Sequence, residues 1–152
     1  MSVETVYIEK VNIFELDFVR ILMSENQIKE LVSKYIETIH TQNKVDFCSL
    51  WARNAHCILI SVGKEFIGVD SIFNDFLIGL IQTNYSDIKL ISNEINVHLI
   101  NENLATVVFT YHTECIMRKD GSNFGIKGLE TQVIIKENGQ WKIQHIHYSK
   151  AD

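Results

Sequence analysis

The sequence predicts an α+β fold in which helices pack on one face of a curved, mostly antiparallel sheet. Three observations carry that reading. Apolar residues recur at helical spacing through much of the first half of the chain. After Tyr85 the pattern changes to long extended segments separated by short turn signals. The helices come first and the longer strands follow, an order that sorts the elements into layers. The 152 residues suit one domain and suffice to bury most of its apolar surface in a single core.

Residues 1–23 fit neither a helical nor a strand period cleanly. They are read as an N-terminal extension, helical rather than extended, ahead of a single domain over 24–152. That domain opens with "SENQIKELVSKYIETIH". Ser24 and Gln27 have capping-box spacing, which predicts a helix start at Ser24. Ile28, Leu31, Val32, Tyr35, Ile36 and Ile39 form one apolar stripe, with Tyr35 inside it. A second helix is expected over 45–55, with Cys48, Trp51, Ala52 and Ala55 on one face. "HCILISV" and "EFIG" read as short strands joined at Gly63. Asp70 or Ser71 can cap a third helix, whose buried stripe is Ile72, Phe73, Phe76, Leu77, Leu80 and Ile81. Strands are expected at 88–100, 104–117, 126–136 and 141–149. "NEN", "RKDGSN" and "ENGQ" separate them. The chain has no proline, so its turns rest on Gly, Asn and Asp.

Composition narrows the function. The formal charge is −5, with no long run of either sign. A general nucleic-acid or anionic-membrane surface needs clustered Lys and Arg, so neither partner is expected. No apolar run approaches the ~18 residues of a membrane span. The start "MSVETVYIEK" lacks the basic residues and apolar core of a signal peptide. The three cysteines, Cys48, Cys57 and Cys115, show no CxxC spacing. Reduced thiols in a cytoplasmic protein are expected.

Three stretches carry a family resemblance. "GLETQVIIKENGQWKIQHIHYS" resembles the final hairpin of SnoaL-like domains and of the calcium/calmodulin-dependent protein kinase II association domain, with Gly in a charged turn, then Trp, then H-x-H. "KYIETIHTQNKVDFCSLWARNAHCILI" resembles the first helix pair and strand of the same group, and "EFIGVDSIFNDF" its third-helix entry. Together they cover about residues 24–149 and resemble the nuclear transport factor two superfamily. The resemblance implies a cone-shaped fold: three helices on a strongly curved sheet, closed around a pocket.

Strand alternation then assigns faces. Trp141, Ile143, His145 and His147 share one face of the last strand. Lys142, Gln144, Ile146 and Tyr148 share the other. Pairing with the previous strand turns on Asn138-Gly139. A two-residue type I′ turn would pair Gln132 with His145. A three-residue loop with Gly139 in the left-handed region would pair Thr131 with His145 and Gln132 with Gln144. The second choice gathers Trp141, Ile143, Leu129, Val133 and Ile135 on one apolar face and is preferred, since burying each large apolar side chain is worth about 1.5–3 kcal/mol. The resemblance implies that this outer face packs on a second subunit, a homodimer through Trp141, Ile143, His145 and His147. Gln132, Ile146 and Tyr148 would look into the cone, with Phe109, Tyr111 and Thr113 beside them and His112 outside.

The expected pocket is mostly apolar. Trp51, Leu59, Phe73, Phe76, Phe109 and Tyr111 would wall it, and Tyr35, Gln132 and Tyr148 would supply polar handles. In the kinase association domain the positions resembling Tyr111, Gln132 and Tyr148 are basic. Here they are neutral, which implies a small apolar or aromatic ligand that is not strongly anionic. Steroid isomerases of the superfamily combine a helix Tyr with a carboxylate base and a second acid. Tyr35 takes the helix position, but the base position falls near Leu59 and the second acid on Thr131 or Gln132. Glu130 is the carboxylate that could substitute: in a dry pocket its pKa would rise. The plainer reading of Glu130 is an exposed strand glutamate, and that of Tyr35 a core tyrosine. His112, His145 and His147 could make a three-histidine zinc site, but interface histidines are preferred, and neither a metal nor a cofactor is expected. Catalysis is left open. The leading reading is a small-molecule-binding domain, with isomerase or cyclase chemistry lacking the usual carboxylate base as its enzymatic option; the alternative is an association module.

Overall fold

The apolar spacing at the start of the chain is satisfied by one continuous helix. The computed structural model describes residues 3–152, and side chains from Phe14 onward. Helix α1 spans Val3–Thr41. Ser24 lies inside it, so the expected helix start is not there: the N–H groups that a Ser24 cap would serve already belong to a helix turn. Ile28, Val32, Tyr35 and Ile39 are buried, as their stripe predicts. Residues 14–22 stay exposed ahead of that stripe.

Helix α2 spans Lys44–Ser49, and the Asn43 side chain caps it by accepting the Asp46 N–H at 3.0 Å. It is shorter than expected because the chain beyond it is drawn to the sheet. The Ile143 N–H donates to the Leu50 carbonyl, and the Ala52 N–H donates to the Ile143 carbonyl. Helix α3 begins as one turn at Val69–Ser71 and continues into a wider, π-wound segment over Ile72–Gln82. That segment buries Ile72, Phe73, Phe76 and Leu77.

Eight strands form one sheet: β1 Ile58–Ser61, β2 Lys64–Ile67, β3 Tyr85–Ser92, β4 Asn96–Asn101, β5 Leu104–Met117, β6 Asn123–Phe124, β7 Lys127–Glu137 and β8 Gln140–Lys150. The order is β2-β1-β8-β7-β5-β3, with β4 and β6 also paired to β5. The β1–β8 pairing is parallel, and the other pairings are antiparallel. The strand expected over 88–100 is two strands, β3 and β4, which pair with successive stretches of β5. The helices pack against the inner face of this strongly curled sheet, the cone-shaped α+β architecture. Inward residues on β5 and β7 are Ala105, Val107, Phe109 and Tyr111, and Gly128, Glu130, Gln132 and Ile134, all buried.

The β7–β8 hairpin departs from the preferred register. Asn138 and Gly139 both have positive φ, 50° and 76°, and Glu137 pairs with Gln140. This is the two-residue turn, which needs the left-handed region at both positions; Asn-Gly suits it. The ladder runs in that register to Ile134–Ile143, then shifts by one at Gln144, so that Val133 faces His145, Gln132 faces Ile146 and Glu130 faces Tyr148. The extra residue is a β-bulge, which flips the side-chain alternation of its strand. Trp141 and Ile143 before it and Ile146 after it are all buried, and Tyr148 shares their face. Trp141 and Ile143, expected on an outer subunit interface, are therefore core residues, 7% and 0% exposed. His145 and His147 face outward as expected, the first half-buried and the second exposed.

Candidate functional site

Glu130 is fully buried, contrary to its plainer reading as an exposed strand glutamate. Its place follows from register. It stands on the inner face of β7 opposite Phe109 on one side and Tyr148 on the other. Gln132, two residues along on the same face, donates its Nε2 to Glu130 Oε1 at 2.7 Å. Glu130 Oε2 and Gln132 Oε1 have no protein partner. Burial pushes the Glu130 carboxyl up to about 8, with hydrogen bonding from Gln132 and Tyr148 pulling the other way. An uncompensated buried carboxylate is costly, so the group keeps its proton.

Two tyrosines complete the cluster. The Tyr35 and Tyr148 hydroxyls are 2.6 Å apart, and either can donate. Burial, and then the charge of Glu130, holds both phenols well above their ordinary value. Tyr35 is locked by Phe47 and Trp51, with ring centroids at 5.9 and 6.3 Å. Tyr148 lies between Phe76, at 6.2 Å and nearly parallel, and Tyr111, at 5.4 Å and edge-on. Tyr111 is also raised by burial and by Glu130. Its hydroxyl lies near the inner face of Gly128, where a Cβ would collide with the Ser149 carbonyl. Chemically the cluster is a neutral carboxylic acid joined to a chain of phenols: it can donate a proton at neutral pH and accept one when ionised.

The open space lies above this cluster. A cavity of about 70 Å³ is bounded by Phe76, Tyr111 and Tyr148 of the expected set, with Thr113 beside them. Ile39, Ser61, Val62, Ile81, Tyr85, Ile88, Leu90, Cys115, Ile126 and Lys150 complete it. Alternation could have found several of these: Cys115 has the parity of Tyr111, and Lys150 that of Tyr148. The other expected residues, Tyr35, Trp51, Leu59, Phe73, Phe109 and Gln132, are buried in the core and do not border the cavity. The narrow end of the cone is thus filled by side chains, and Tyr148 separates its wide end from the buried acid.

The histidines do not converge. His147 is level with Thr131 and Val108, whereas His112 is level with Lys127, four residues further along β5. At ~3.4 Å per residue and ~4.8 Å per strand, that is roughly 16 Å. Among the described residues no group of three or more His, Cys, Asp or Glu could hold a metal ion. The three cysteines are free. No helix among the described residues is long and apolar enough to cross a membrane.

Residues 28–152 match the family described as the SnoaL-like domain. No curated protein matches the chain. Several solved structures share the fold. A nuclear transport factor 2-like superfamily protein from Salmonella enterica serovar Typhimurium is 23% identical, with a TM-score of 0.79 over 84% of this chain and 90% of that one. A hexachlorocyclohexane dehydrochlorinase is 12% identical, with a TM-score of 0.80 over 88% and 89%. A protein from Xanthomonas campestris, described as a calcium/calmodulin dependent protein kinase II association domain, is 21% identical, with a TM-score of 0.67 over 82% and 85%.

Proposed function

The chain belongs to the SnoaL-like domain family, and from that premise we propose that it binds a small, mostly apolar, uncharged molecule at the wide end of the cone and moves a proton on it. Glu130 is the acid–base group of this reading, Tyr148 relays its proton to the cavity, and Tyr35 holds the Tyr148 hydroxyl in place. The observation that carries it is Glu130 itself. A carboxyl that is fully buried, left with one unpartnered oxygen and raised to about 8 is poorly explained by packing, since a Gln or Leu would fill the site at lower cost. The apolar, almost uncharged lining suits a neutral aromatic or alicyclic ligand. The cavity of about 70 Å³ holds little more than waters, so a ligand must displace Tyr148 or the side chains of Ile81 and Lys150. One fold neighbour, 12% identical, is named a dehydrochlorinase, and dehydrochlorination includes removal of a proton from carbon, the kind of step this reading gives to Glu130.

The test is direct. Neutral cyclic ketones and phenols are screened for thermal stabilisation of the protein, and any that bind are followed by NMR for exchange of carbon-bound hydrogen in heavy water. Glu130→Gln should keep binding and lose exchange by about 10²-fold or more. Exchange that survives Glu130→Gln, or a wild-type protein that binds none of the compounds, would sink the reading.

A second reading, an association module, is favoured by the outer sheet face. Ile67 and Leu129 are exposed there, and Ile58, Ile60, Val133 and His145 are only half-buried. Such a face suits a second copy of the chain, now without Trp141 and Ile143. Val133→Glu should weaken a dimer measured by light scattering, and an unchanged mass would rule this face out.

A further inference from the structure

Helix α1 is 39 residues long, about 58 Å, yet its stretch from Phe14 to Met23 carries apolar side chains in water. Phe14 is 78% exposed, and Leu16, Phe18, Val19 and Met23 follow at 48–58%. Two stripes run along this arm. Phe14, Phe18 and Ile21 continue the stripe that Ile28, Val32 and Tyr35 bury in the core. Leu16, Val19 and Met23 form the other. Carried on by helical steps, the second stripe reaches Gln27, Leu31, Lys34 and Thr38. Those four residues line a groove of about 670 Å³ between α1, α2 and the β7–β8 turn. Leu50 and Trp141 form its far side, and the Trp141 Nε1 is buried without a partner. The exposed stripe and the groove are one continuous track along α1.

We propose that this track is filled by the same helix of a second copy, running antiparallel, so that two chains exchange their N-terminal arms. Length supports it. With the crossing between Val19 and Arg20, about 25 Å of helix carries the other copy's Val3 level with Ile36, between the groove residues Lys34 and Thr38. Charge supports it as well: that crossing sets Asp17 of each chain about 3 Å along the axis from Arg20 of the other, an attraction made twice by symmetry and added to the 4.0 Å contact that Arg20 and Asp17 make within one chain. The exposed side chains between Phe14 and Met23 amount to on the order of 600 Å² of apolar surface, against about 800 Å² per partner in a stable interface. The groove walls supply the remainder. A membrane surface fits less well. Helices that lie on bilayers are rich in Lys and Arg on their polar face, whereas this arm offers Glu15 and Asp17 against Arg20.

The test uses the full chain. Val19→Glu with Met23→Glu should halve the mass seen by light scattering at micromolar concentration. Helical circular dichroism and the melting temperature report that the domain stays folded, since both side chains lie outside the core. A mixture of Leu16→Cys and Met23→Cys chains should form a disulfide-linked heterodimer under mild oxidation at least 5-fold faster than Leu16→Cys alone, because antiparallel pairing sets position 16 beside position 23. A monomeric wild type, a mass unchanged by the double substitution, or equal cross-linking of Leu16→Cys with itself would overturn the exchange. So would binding of the wild type, but not the variant, to phosphatidylcholine–phosphatidylglycerol vesicles. The outer sheet face is scored separately by Val133→Glu, so failure of one contact does not mask the other.

Discussion

Glu130 and His145 stand on opposite faces of the β7–β8 hairpin, and burial moves them in opposite directions. Glu130 looks into the cone and is raised to about 8. His145 looks out from the sheet and is lowered, first by partial burial and then by its neighbour His147. Both shifts favour the neutral form, because low dielectric disfavours charge of either sign. The consequences differ in scale. The inner face is dry and closed by aromatic rings, whereas the outer face is partly wet, so the histidine shift is screened. Two adjacent histidines are the conspicuous feature of "WKIQHIHYS", but the chemically unusual group is the plain glutamate across from its tyrosine.

Four measurements would break or sharpen that contrast, and the largest effect is at Trp141. As an inner-face residue, Trp141→Ala should cost about 3–5 kcal/mol of stability in denaturant unfolding. A cost within ~0.5 kcal/mol would return Trp141 to the outside and undo the bulge. Next comes pH dependence. The folded carboxyl of Glu130 holds its proton up to about 8, whereas the unfolded one releases it near 4.5. The folded state therefore binds more protons between those values, and stability falls as pH rises through that window, then levels off. The loss is on the order of 5 kcal/mol. Glu130→Gln should flatten that slope between pH 5 and 8; an unaltered slope would mean that Glu130 is solvated. Tyr148→Phe is smaller. It removes the hydroxyl that faces Tyr35 and should cost about 1 kcal/mol, while raising the Glu130 carboxyl further, because one of the hydrogen bonds lowering it is gone. Carboxyl signals in ¹³C NMR report that shift directly. The smallest effect is at the exposed His147, where His147→Gln should change stability by no more than ~0.5 kcal/mol. A larger change would give the outer histidines a role that their exposure does not suggest.

Much of the architecture was legible because it rests on local rules. Ile28, Val32, Tyr35 and Ile39 lie on one side of a helix wherever the helix goes, and all four are buried. Phe109 and Tyr111 share a face of an uninterrupted strand and turn inward as expected, and so does Gln132; Glu130 has the parity of Gln132, yet its plainer reading put it in solvent, because alternation does not say that a carboxylate will be buried. The extended stretch over 88–100 broke into β3 and β4 because only pairing with β5 reveals the bend between them. The arm was the opposite case. The first 23 residues showed no single period because the described part of the arm carries two apolar stripes, which blur each other in any one-face count.

By itself, then, the sequence determined the order of elements, the antiparallel hairpins and the inward set on β5, since each depends on side-chain periodicity. Tertiary structure alone decided which half of β8 faces which way. The shift at Gln144 has no local signature. It is held by Asn54, whose Nδ2 donates to Gln144 Oε1 at 2.6 Å, and by the His56 carbonyl, which accepts from Gln144 Nε2 at 3.0 Å. These partners lie some ninety positions back along the chain. A period-2 pattern records only where a side chain stands relative to its neighbours in sequence. A bulge changes that parity for the sake of contacts made elsewhere. Here it let Trp141 and Ile143 join the core while Tyr148 still closed over Glu130.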